Sequence, residues 1–333
     1  MYLDRVFAND NEYLAWTTRL GATGAGVGHI YYVIKKNEAF YADFLTTHQF
    51  KYSDGSNAVY NDIQSALNAC VAARNDYVIV MPSASDYDIS ATLTIAKRNV
   101  HLICPAGLGF NGMGSNAARI HQNAAYPHIT ITGDDVEVAG LFLKSDATAR
   151  TPVTGQINLS GTRWHTNIHD NFFGISATAA SGSYGILAAG ASSHFSIWNN
   201  YFTNYNPGET TGTNNAIAAF IGITSNSSTR GLIKGNIMHT GGNTTVTAGI
   251  HNAGLQSMFI IDNILNADQA GTCDMGIMTV GINAAACAIV ARNLFGGYIN
   301  ATNMVDPITG PTNEYTCLLN YTAVAGGTVV DVS

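Results

Sequence analysis

The 333-residue sequence has little charge. Charged residues make up 11% of it, and only 15 residues are Lys or Arg, whereas an average soluble domain carries about 25% charged residues. The basic residues are also dispersed, with no run longer than Lys35–Lys36. Because phosphate contacts need a clustered positive face, the sequence predicts no nucleic-acid partner.

Long apolar runs are lacking as well. No run approaches the ~18 residues that span a membrane, so no membrane partner is expected. The opening stretch MYLDRVFANDNEYLAW has no basic segment followed by an apolar one, and it predicts no secretory signal. The 5 cysteines include no CxxC pair, which indicates buried thiols rather than disulfides. We predict neither a metal site nor a cofactor.

What the sequence does contain is a repeated motif. Its copies read NIHDNFF, SIWNNYF, LIKGNIM, FIIDNIL, IVARNLF and TCLLNYT, and each holds an asparagine at the same place. These asparagines are Asn171, Asn200, Asn236, Asn263, Asn293 and Asn320. Their period of about 30 residues indicates a stacked repeat architecture.

The residues around each asparagine indicate strands. An apolar residue stands three positions before the asparagine, and in all copies but the last another stands two positions after it. Short apolar segments on either side of a bend are typical of strands. Each repeat therefore predicts one turn of a parallel β-solenoid, with equivalent residues about 4.8 Å apart. The asparagines would then form a ladder in which side-chain amides hydrogen-bond from coil to coil.

With its I-x-x-N-x-F motif, the stretch from Tyr77 to Ser333 resembles the right-handed parallel β-helix of the pectin-lyase-like superfamily. The resemblance implies an all-β fold, a single-stranded right-handed parallel β-helix of about ten coils. It implies no single function, because that superfamily contains lyases, glycosidases, adhesins and phage tailspikes. The leading segments GHIYYVIKKNEAFYADFLTTHQ and VYNDIQSALNAC also resemble β-helix proteins encoded among tailed-phage structural genes.

The sequence divides into three predicted parts. We expect an N-terminal α/β attachment and assembly segment over 1–58, a capping helix over 59–76 and the β-helix over 77–333. Asn61 or Asp62 can serve as the N-cap of the helix. Its apolar stripe consists of Ile63, Ala66, Leu67 and Cys70. Because the first coil of a solenoid would otherwise expose its core and strand edges, a helix lying across it is expected.

A second row of apolar residues directly follows the asparagines. It consists of Phe172, Tyr201, Ile237, Ile264, Leu294 and Tyr321. If the next position along each strand points inward, alternation turns this one outward and creates a stripe along the solenoid. An exposed apolar stripe usually marks a protein contact, so we predict a subunit contact here. The alternative is that the bend breaks the alternation and buries both positions.

The sequence offers little for catalysis, and we predict no catalytic residue. Asp170 and Asp262 share a place in the motif but lie three repeats apart, about 14 Å, which is too far to flank one glycosidic bond. His165 and His169 lie about 13 Å apart on an extended strand, so hydrogen bonding is expected rather than a shared metal ion. The catalytic motifs that the resemblance would imply are also not found.

These observations favour a non-enzymatic structural protein of a virion surface, such as a capsid-decorating protein. We expect a homo-oligomer, with a trimer favoured, and other virion proteins such as the major capsid protein as partners. The alternative is a tailspike-like polysaccharide depolymerase, either a lyase or a glycoside hydrolase, or a receptor-binding protein that contacts surface glycans. A depolymerase would need paired carboxylates in a groove.

Overall fold

The computed structural model describes the chain from residue 28 to residue 331, with gaps. The described ranges are 28–48, 51–110, 117–122, 126–145, 155–175, 183–203, 216–225, 227–240, 245–253, 257–267, 273–280, 288–297, 308–309, 315–318, 321–323 and 329–331. Asn320 of the predicted ladder lies outside these ranges.

Each coil of the chain crosses three sheets in turn, and the strands of successive coils stack on one another. The first sheet has 11 strands, in the order Val59–Tyr60, Ile30–Val33, Asp76–Val80, Val100–Ile103, Val136–Ala139, Asn167–His169, Ser196–Trp198, Leu232–Lys234, Phe259–Ile261, Ala288–Ala291 and Tyr315–Leu318. The second sheet has 10 strands, Tyr87–Ile89, Ala118–Gln122, Leu141–Ser145, Phe172–Gly174, Tyr201–Thr203, Ile237–Thr240, Ile264–Ala267, Leu294–Gly297, Tyr321–Ala323 and Val329–Asp331.

The third sheet completes the coils. Its 8 strands are Leu93–Ile95, Ile129–Ile131, Gly155–Leu159, Ser183–Ala188, Ala216–Ile223, Thr245–Ala253, Cys273–Val280 and Ile308–Thr309. A small pair of strands, Arg163–Trp164 and Ser192–Ser193, lies where the chain passes from the third sheet back to the first.

Among the described strand pairs the pairing is parallel, except that Val329–Asp331 runs antiparallel to Tyr321–Ala323. The register of the motif strands is constant, so that equivalent residues of successive motifs, such as Ile168 and Ile197, lie directly opposite each other, whereas the third sheet has a register shift between Ser183 and Tyr184. The sequence prediction of a right-handed parallel β-helix is confirmed.

The core consists of inward-facing rows that run along the solenoid axis. The apolar residues three positions before the asparagines, Ile168, Ile197, Ile233, Ile260 and Val290, are all buried. On the second sheet, Phe173 and Phe202 stack with their ring centroids 4.5 Å apart. Each such fully buried side chain stabilises the fold by roughly 1.5–3 kcal/mol.

The turn between the first and second sheets is short and repeats in each coil. The residue before the asparagine adopts a left-handed backbone conformation, with φ between 53° and 63° at Asp170, Asn199, Gly235, Asp262 and Arg292. Asparagine, aspartate and glycine tolerate this conformation best, which explains their frequency there, whereas Arg292 is held in it by the surrounding ladder.

The N-terminal part belongs to the same body. Ile30–Val33 pairs in parallel with both Val59–Tyr60 and Asp76–Val80, so the first sheet begins before the first full coil. Helix α1, Tyr41–His48, buries Phe44 against the outer face of this sheet.

Helix α2 covers the start of the solenoid. It spans Ile63–Ala69 and buries Ile63, Ala66 and Leu67 in the main core cluster. Of the two candidate N-caps, Asp62 fills the role, since its Oδ1 accepts a hydrogen bond from Ser65 N at 2.7 Å. A 3-10 helix, Pro105–Phe110, follows the second coil strand of the first sheet.

Candidate functional site

The predicted asparagine ladder occupies the turn between the first and second sheets. Each described asparagine is buried, and in Asn171, Asn200, Asn236 and Asn263 the Nδ2 donates to the Oδ1 of the asparagine in the next coil at 2.9–3.1 Å. Each also donates to a main-chain carbonyl of the preceding coil, as Asn236 does to Ile197 O at 2.9 Å. The described members are Asn171, Asn200, Asn236, Asn263 and Asn293. Because these amides are fully engaged, their role is structural.

The predicted stripe runs along the second sheet. Phe172, Tyr201, Ile237, Ile264 and Leu294 lie opposite one another on its outer face, and Tyr321 follows Leu294 in the strand register. The first three are half-buried, whereas Ile264 and Leu294 are 39% and 41% exposed. The position that follows, as at Met238 and Leu265, is buried.

The two ends of this row differ in character. Phe172 and Tyr201 stack face to face, with centroids 5.1 Å apart and planes 4° apart. Because each ring covers the face of the other, this end presents ring edges to solvent. The far end presents exposed aliphatic side chains, so that only the far end has the character of a protein contact.

A second apolar row was missed by the sequence reasoning. Leu232, Phe259 and Ile289 lie opposite one another on the outer face of the first sheet, and Phe259 is 47% exposed. The same position in the two preceding coils holds Asn167 and Ser196. The signal was present four residues before each asparagine, where the residue type changes from polar to apolar along the chain.

A buried polar network lies on the outer face of the first sheet. Glu137 accepts hydrogen bonds from His101 Nδ1 at 2.6 Å and from His169 Nε2 at 2.7 Å. His169 Nδ1 also bonds to Asp170 Oδ2 at 2.7 Å, and the imidazole stacks on Trp198. His169 is therefore hydrogen-bonded, as expected.

The network fixes the charges of its members. Burial alone would raise the pKa of Glu137, but the hydrogen bonds from His101 and His169 outweigh burial and lower the pKa to about 2. Burial alone would lower the pKa of His169, but its bonds to Asp170 and Glu137 raise it. A carboxylate and an imidazolium that already satisfy each other have little capacity left for a ligand.

A different set of side chains lines the turn between the third and first sheets. Here too one residue per coil adopts a left-handed conformation, at Asn99, Asp135, His165, His194, Arg230 and Ser257. Trp164, next to one of these, is 45% exposed and stacks on His194 with centroids 5.7 Å apart. We call Trp164, His165, His194 and Arg230 the tryptophan edge.

The contacts along the tryptophan edge run from coil to coil. His165 Nδ1 bonds to Asp135 Oδ1 at 2.9 Å, and Arg230 Nη1 donates to His194 Nε2 at 3.4 Å. Arg230 is exposed and, among the described residues, it is the arginine without a carboxylate partner. The other described arginines, Arg74, Arg98, Arg119, Arg163 and Arg292, each lie within 4 Å of an aspartate.

A cleft of about 310 Å³ opens near the start of the solenoid, between the beginning of α2 and the strands Tyr87–Ile89 and Leu93–Ile95. Asp62 and Asp88 both line it, and sequence reasoning did not bring these two residues to one site. Asp62 caps α2, and Asp88 Oδ1 bonds to His121 Nδ1 at 2.7 Å.

The described residues form neither a metal cluster nor a membrane-spanning helix. They contain no group of three or more His, Cys, Asp or Glu side chains arranged to hold a metal ion. No helix within the described ranges is long and apolar enough to cross a membrane.

The fold and these surfaces define a right-handed parallel β-helix protein. No family model matches the chain, and none of the curated proteins matches it. Among solved structures, it is similar to an alginate lyase from Paenibacillus sp. str. FPU-7, with 16% identity, a TM-score of 0.46, and coverage of 77% of this chain and 82% of that chain. It is also similar to the DFA-IIIase from Arthrobacter chlorophenolicus A6 in complex with GF2, with 12% identity, a TM-score of 0.34, and coverage of 92% and 85%. At these values neither likeness bears on the activity of this chain.

Proposed function

We propose that this protein binds an acidic glycan along the tryptophan edge, as a receptor-binding protein of a virion surface. The observation that carries the proposal is the exposure of Trp164, which lies next to His165 and stacks on His194 of the next coil, while Arg230 of the coil after that donates to His194. Tryptophan and arginine are the side chains that most often dominate binding energy at protein surfaces. One face of the Trp164 indole lies against His194, and the exposed remainder of the ring offers an apolar surface that the C–H groups of a pyranose ring can contact.

The polar side chains of the edge supply the directional contacts. His165, His194 and Arg230 lie in successive coils, which repeat at about 4.8 Å along the axis. An extended saccharide lying along the axis therefore meets a new donor or acceptor at each coil, while Trp164 holds one sugar ring.

Arg230 supports an acidic ligand. The other described arginines are neutralised by aspartates, whereas the Arg230 guanidinium contacts only a histidine among the described residues. A guanidinium binds a carboxylate through two parallel hydrogen bonds, a geometry that neutral sugars do not offer. A uronate-type carboxylate would therefore complete the site.

The proposal is for binding without cleavage. Two carboxylates lie beside the edge: Asp135 is held by Arg98 and His165, and Asp134 accepts from Trp164 N and lies within 4 Å of Arg163. The cleft carboxylates Asp62 and Asp88 are engaged in a helix cap and a contact with His121. Glycoside hydrolysis needs two free carboxyl groups flanking one bond. Incubation with acidic polysaccharides should release neither reducing ends nor unsaturated products, and release of either would contradict this part of the proposal.

Binding is tested with immobilised polygalacturonate, hyaluronate and neutral dextran. Trp164→Ala should weaken binding of the acidic polysaccharides about 30-fold, the loss typical of a removed hot spot. Val71→Ala removes a similarly exposed apolar side chain that lies just after α2, and it should leave binding unchanged. If Trp164→Ala binds as tightly as the wild type, the tryptophan edge is not the site.

The charge preference is tested separately. Arg230→Gln should lose most of the preference for acidic over neutral polysaccharide, whereas Arg292→Gln, an exposed arginine paired with Asp262, should keep it. Equal loss in both variants would indicate a general effect of surface charge rather than a specific contact.

A second candidate function is a capsid-decorating structural role without a glycan ligand. The exposed apolar side chains of the last described coils, Phe259, Ile264 and Leu294, favour it, because such surfaces mark protein contacts. In both candidates the N-terminal segment 1–58 seats the protein next to other virion proteins such as the major capsid protein, and the assembly is a trimer. Mass spectrometry and immunogold labelling of purified particles test the location, and absence from the particles would contradict both candidates.

A further inference from the structure

Two apolar rows flank one corner of the solenoid. The first-sheet row consists of Leu232, Phe259 and Ile289, and the second-sheet row consists of Ile237, Ile264 and Leu294. The asparagine turn separates them, so both rows occupy the same three coils. We call these six residues the apolar corner.

The exposure of the apolar corner is unusual for this molecule. Five large apolar side chains stand out as exposed in the described part of the chain, namely Val71, Trp164, Phe259, Ile264 and Leu294. Three of the five belong to the corner. Scattered exposed apolar residues need no explanation, but a contiguous set on two adjoining faces usually marks a protein contact.

The described coils that precede the apolar corner do not continue its apolar surface. One and two coils earlier, the first-sheet row continues with Ser196 and Asn167, and the second-sheet row continues with the mutually stacked Tyr201 and Phe172. Surface composition therefore changes along the axis while the core rows stay the same. Because only the outward-facing residues change, the change is not needed for folding of the coils. It indicates that the outer faces contact another molecule.

We infer that the apolar corner packs against a second copy of this chain, the first-sheet row of one copy meeting the second-sheet row of the next. Both rows repeat with the strand spacing of about 4.8 Å. Two copies with parallel axes therefore bring apolar side chains to the same level at every coil. Few other partners would match a row of this spacing over three levels.

The shape of the corner determines the kind of assembly. Its two rows lie on different sheets on either side of the asparagine turn, so a copy that packs its first-sheet row on the second-sheet row of a neighbour keeps its own second-sheet row available for another copy. Successive contacts of this kind form a ring where the rotation between copies closes. Such a contact is heterologous, because different surfaces meet.

The charge at the corner is compatible with close approach. Arg292 donates to both carboxylate oxygens of Asp262, at 2.7 and 2.8 Å. The Asp262–Arg292 pair is neutral as a whole. In the three asparagine turns of the apolar corner, Lys234 is then the one charged side chain that remains. Copies meeting at the corner therefore experience little electrostatic repulsion.

Sedimentation of the full-length chain tests the contact. The wild type should form one closed oligomer, and Phe259→Asp or Ile264→Asp should weaken association at least about tenfold, because each places a charge in an apolar interface. Val71→Asp is the matched control, since Val71 is equally exposed but lies at the end of α2. A monomeric wild type, or unchanged association of the Phe259 and Ile264 variants, would overturn the inference.

Cysteine cross-linking tests the arrangement of the rows. Phe259→Cys and Ile264→Cys variants are prepared separately and oxidised alone or after mixing. Cross-linked species should appear only in the mixture, since each row meets the other row of its neighbour. Efficient cross-linking of either variant alone would show that a row meets itself, and the ring would be wrong.

Discussion

A single buried amide connects three coils at each asparagine. Asn236 donates to Ile197 O and to Asn263 Oδ1, and its own Oδ1 accepts from the backbone N and the Nδ2 of Asn200. Asn236→Ala removes all four bonds and leaves buried donors without acceptors. Since an unsatisfied buried group costs roughly 1–3 kcal/mol, we expect a loss of about 2–4 kcal/mol in the free energy of unfolding.

Urea unfolding followed by circular dichroism measures this loss. The control is Asn266→Ala, which removes an exposed amide from the second sheet and should change stability by less than about 0.5 kcal/mol. If the two variants lose the same stability, the ladder contributes no more than a surface amide does.

The His169 network gives a prediction for pH. The pKa of the His169 imidazole is raised in the folded protein above the usual 6.5. The stability that His169 contributes is therefore fully present below pH 6.5. It is lost as the pH rises through the folded-state value. The stability difference between the wild type and His169→Gln should therefore be largest near about pH 5.5 and shrink on the alkaline side.

His251 provides the contrast. Burial lowers its pKa, so the folded protein holds it neutral and loses stability as the pH falls below its usual value. The wild type should therefore lose stability at acid pH relative to His251→Gln. The stability difference between the wild type and this variant should change with pH in the direction opposite to that for His169→Gln. Thermal unfolding between about pH 5 and pH 9 measures both, and slopes of the same sign would contradict the assignment of the His169 network.

At the scale of elements, Asp76 joins the N-terminal strand to the solenoid. Its side chain is fully buried and accepts from His29 N at 2.8 Å, from Val71 N at 2.6 Å and from Arg74. Asp76→Asn keeps the shape but removes the charge. Breaking a buried ion pair costs about 3–5 kcal/mol, and the partial exposure of Arg74 reduces the expected loss to about 2–3 kcal/mol.

Hydrogen exchange locates the effect of Asp76→Asn. Amides of Ile30–Val33 and of α2 should lose protection first, because each repeat of a solenoid contacts only its neighbours. Asp54→Asn, which alters the exposed partner of Arg74, should leave these amides protected. Uniform loss of protection along the whole chain would contradict a local role for Asp76.

The elements differ in how far the sequence predicts them. The asparagine turn is readable because one residue type performs the same buried function in every coil. The turn that carries Trp164 is not, since its left-handed position is filled by asparagine, aspartate, histidine, arginine or serine. Exposed turns tolerate many side chains, so no motif repeats there. Contacts such as Glu137 to His101, 36 residues apart, arise only when the coils stack.

At the scale of the whole molecule, the solenoid has a constant interior and a graded exterior. The inward rows repeat the same apolar types from coil to coil. The outer faces change from ion pairs, such as Asp86 with Arg119 and Lys144, to the apolar corner. Folding constrains the interior of every coil equally, and this explains why the sequence predicts the fold better than it predicts the surfaces that bind.

The graded exterior, through the proposed contact between copies, predicts that stability depends on protein concentration. If the apolar corner is covered only when copies associate, the native oligomer is favoured over unfolded chains by mass action. The Tm of the wild type should therefore rise by several degrees over a hundredfold increase in concentration. The Tm of Phe259→Asp should not depend on concentration. It should lie close to the Tm that the wild type has at the lowest concentration, because Phe259 is exposed in the single chain and its replacement does not disturb the core. A concentration-independent Tm in the wild type, measured by scanning calorimetry, would mean that the corner stays uncovered.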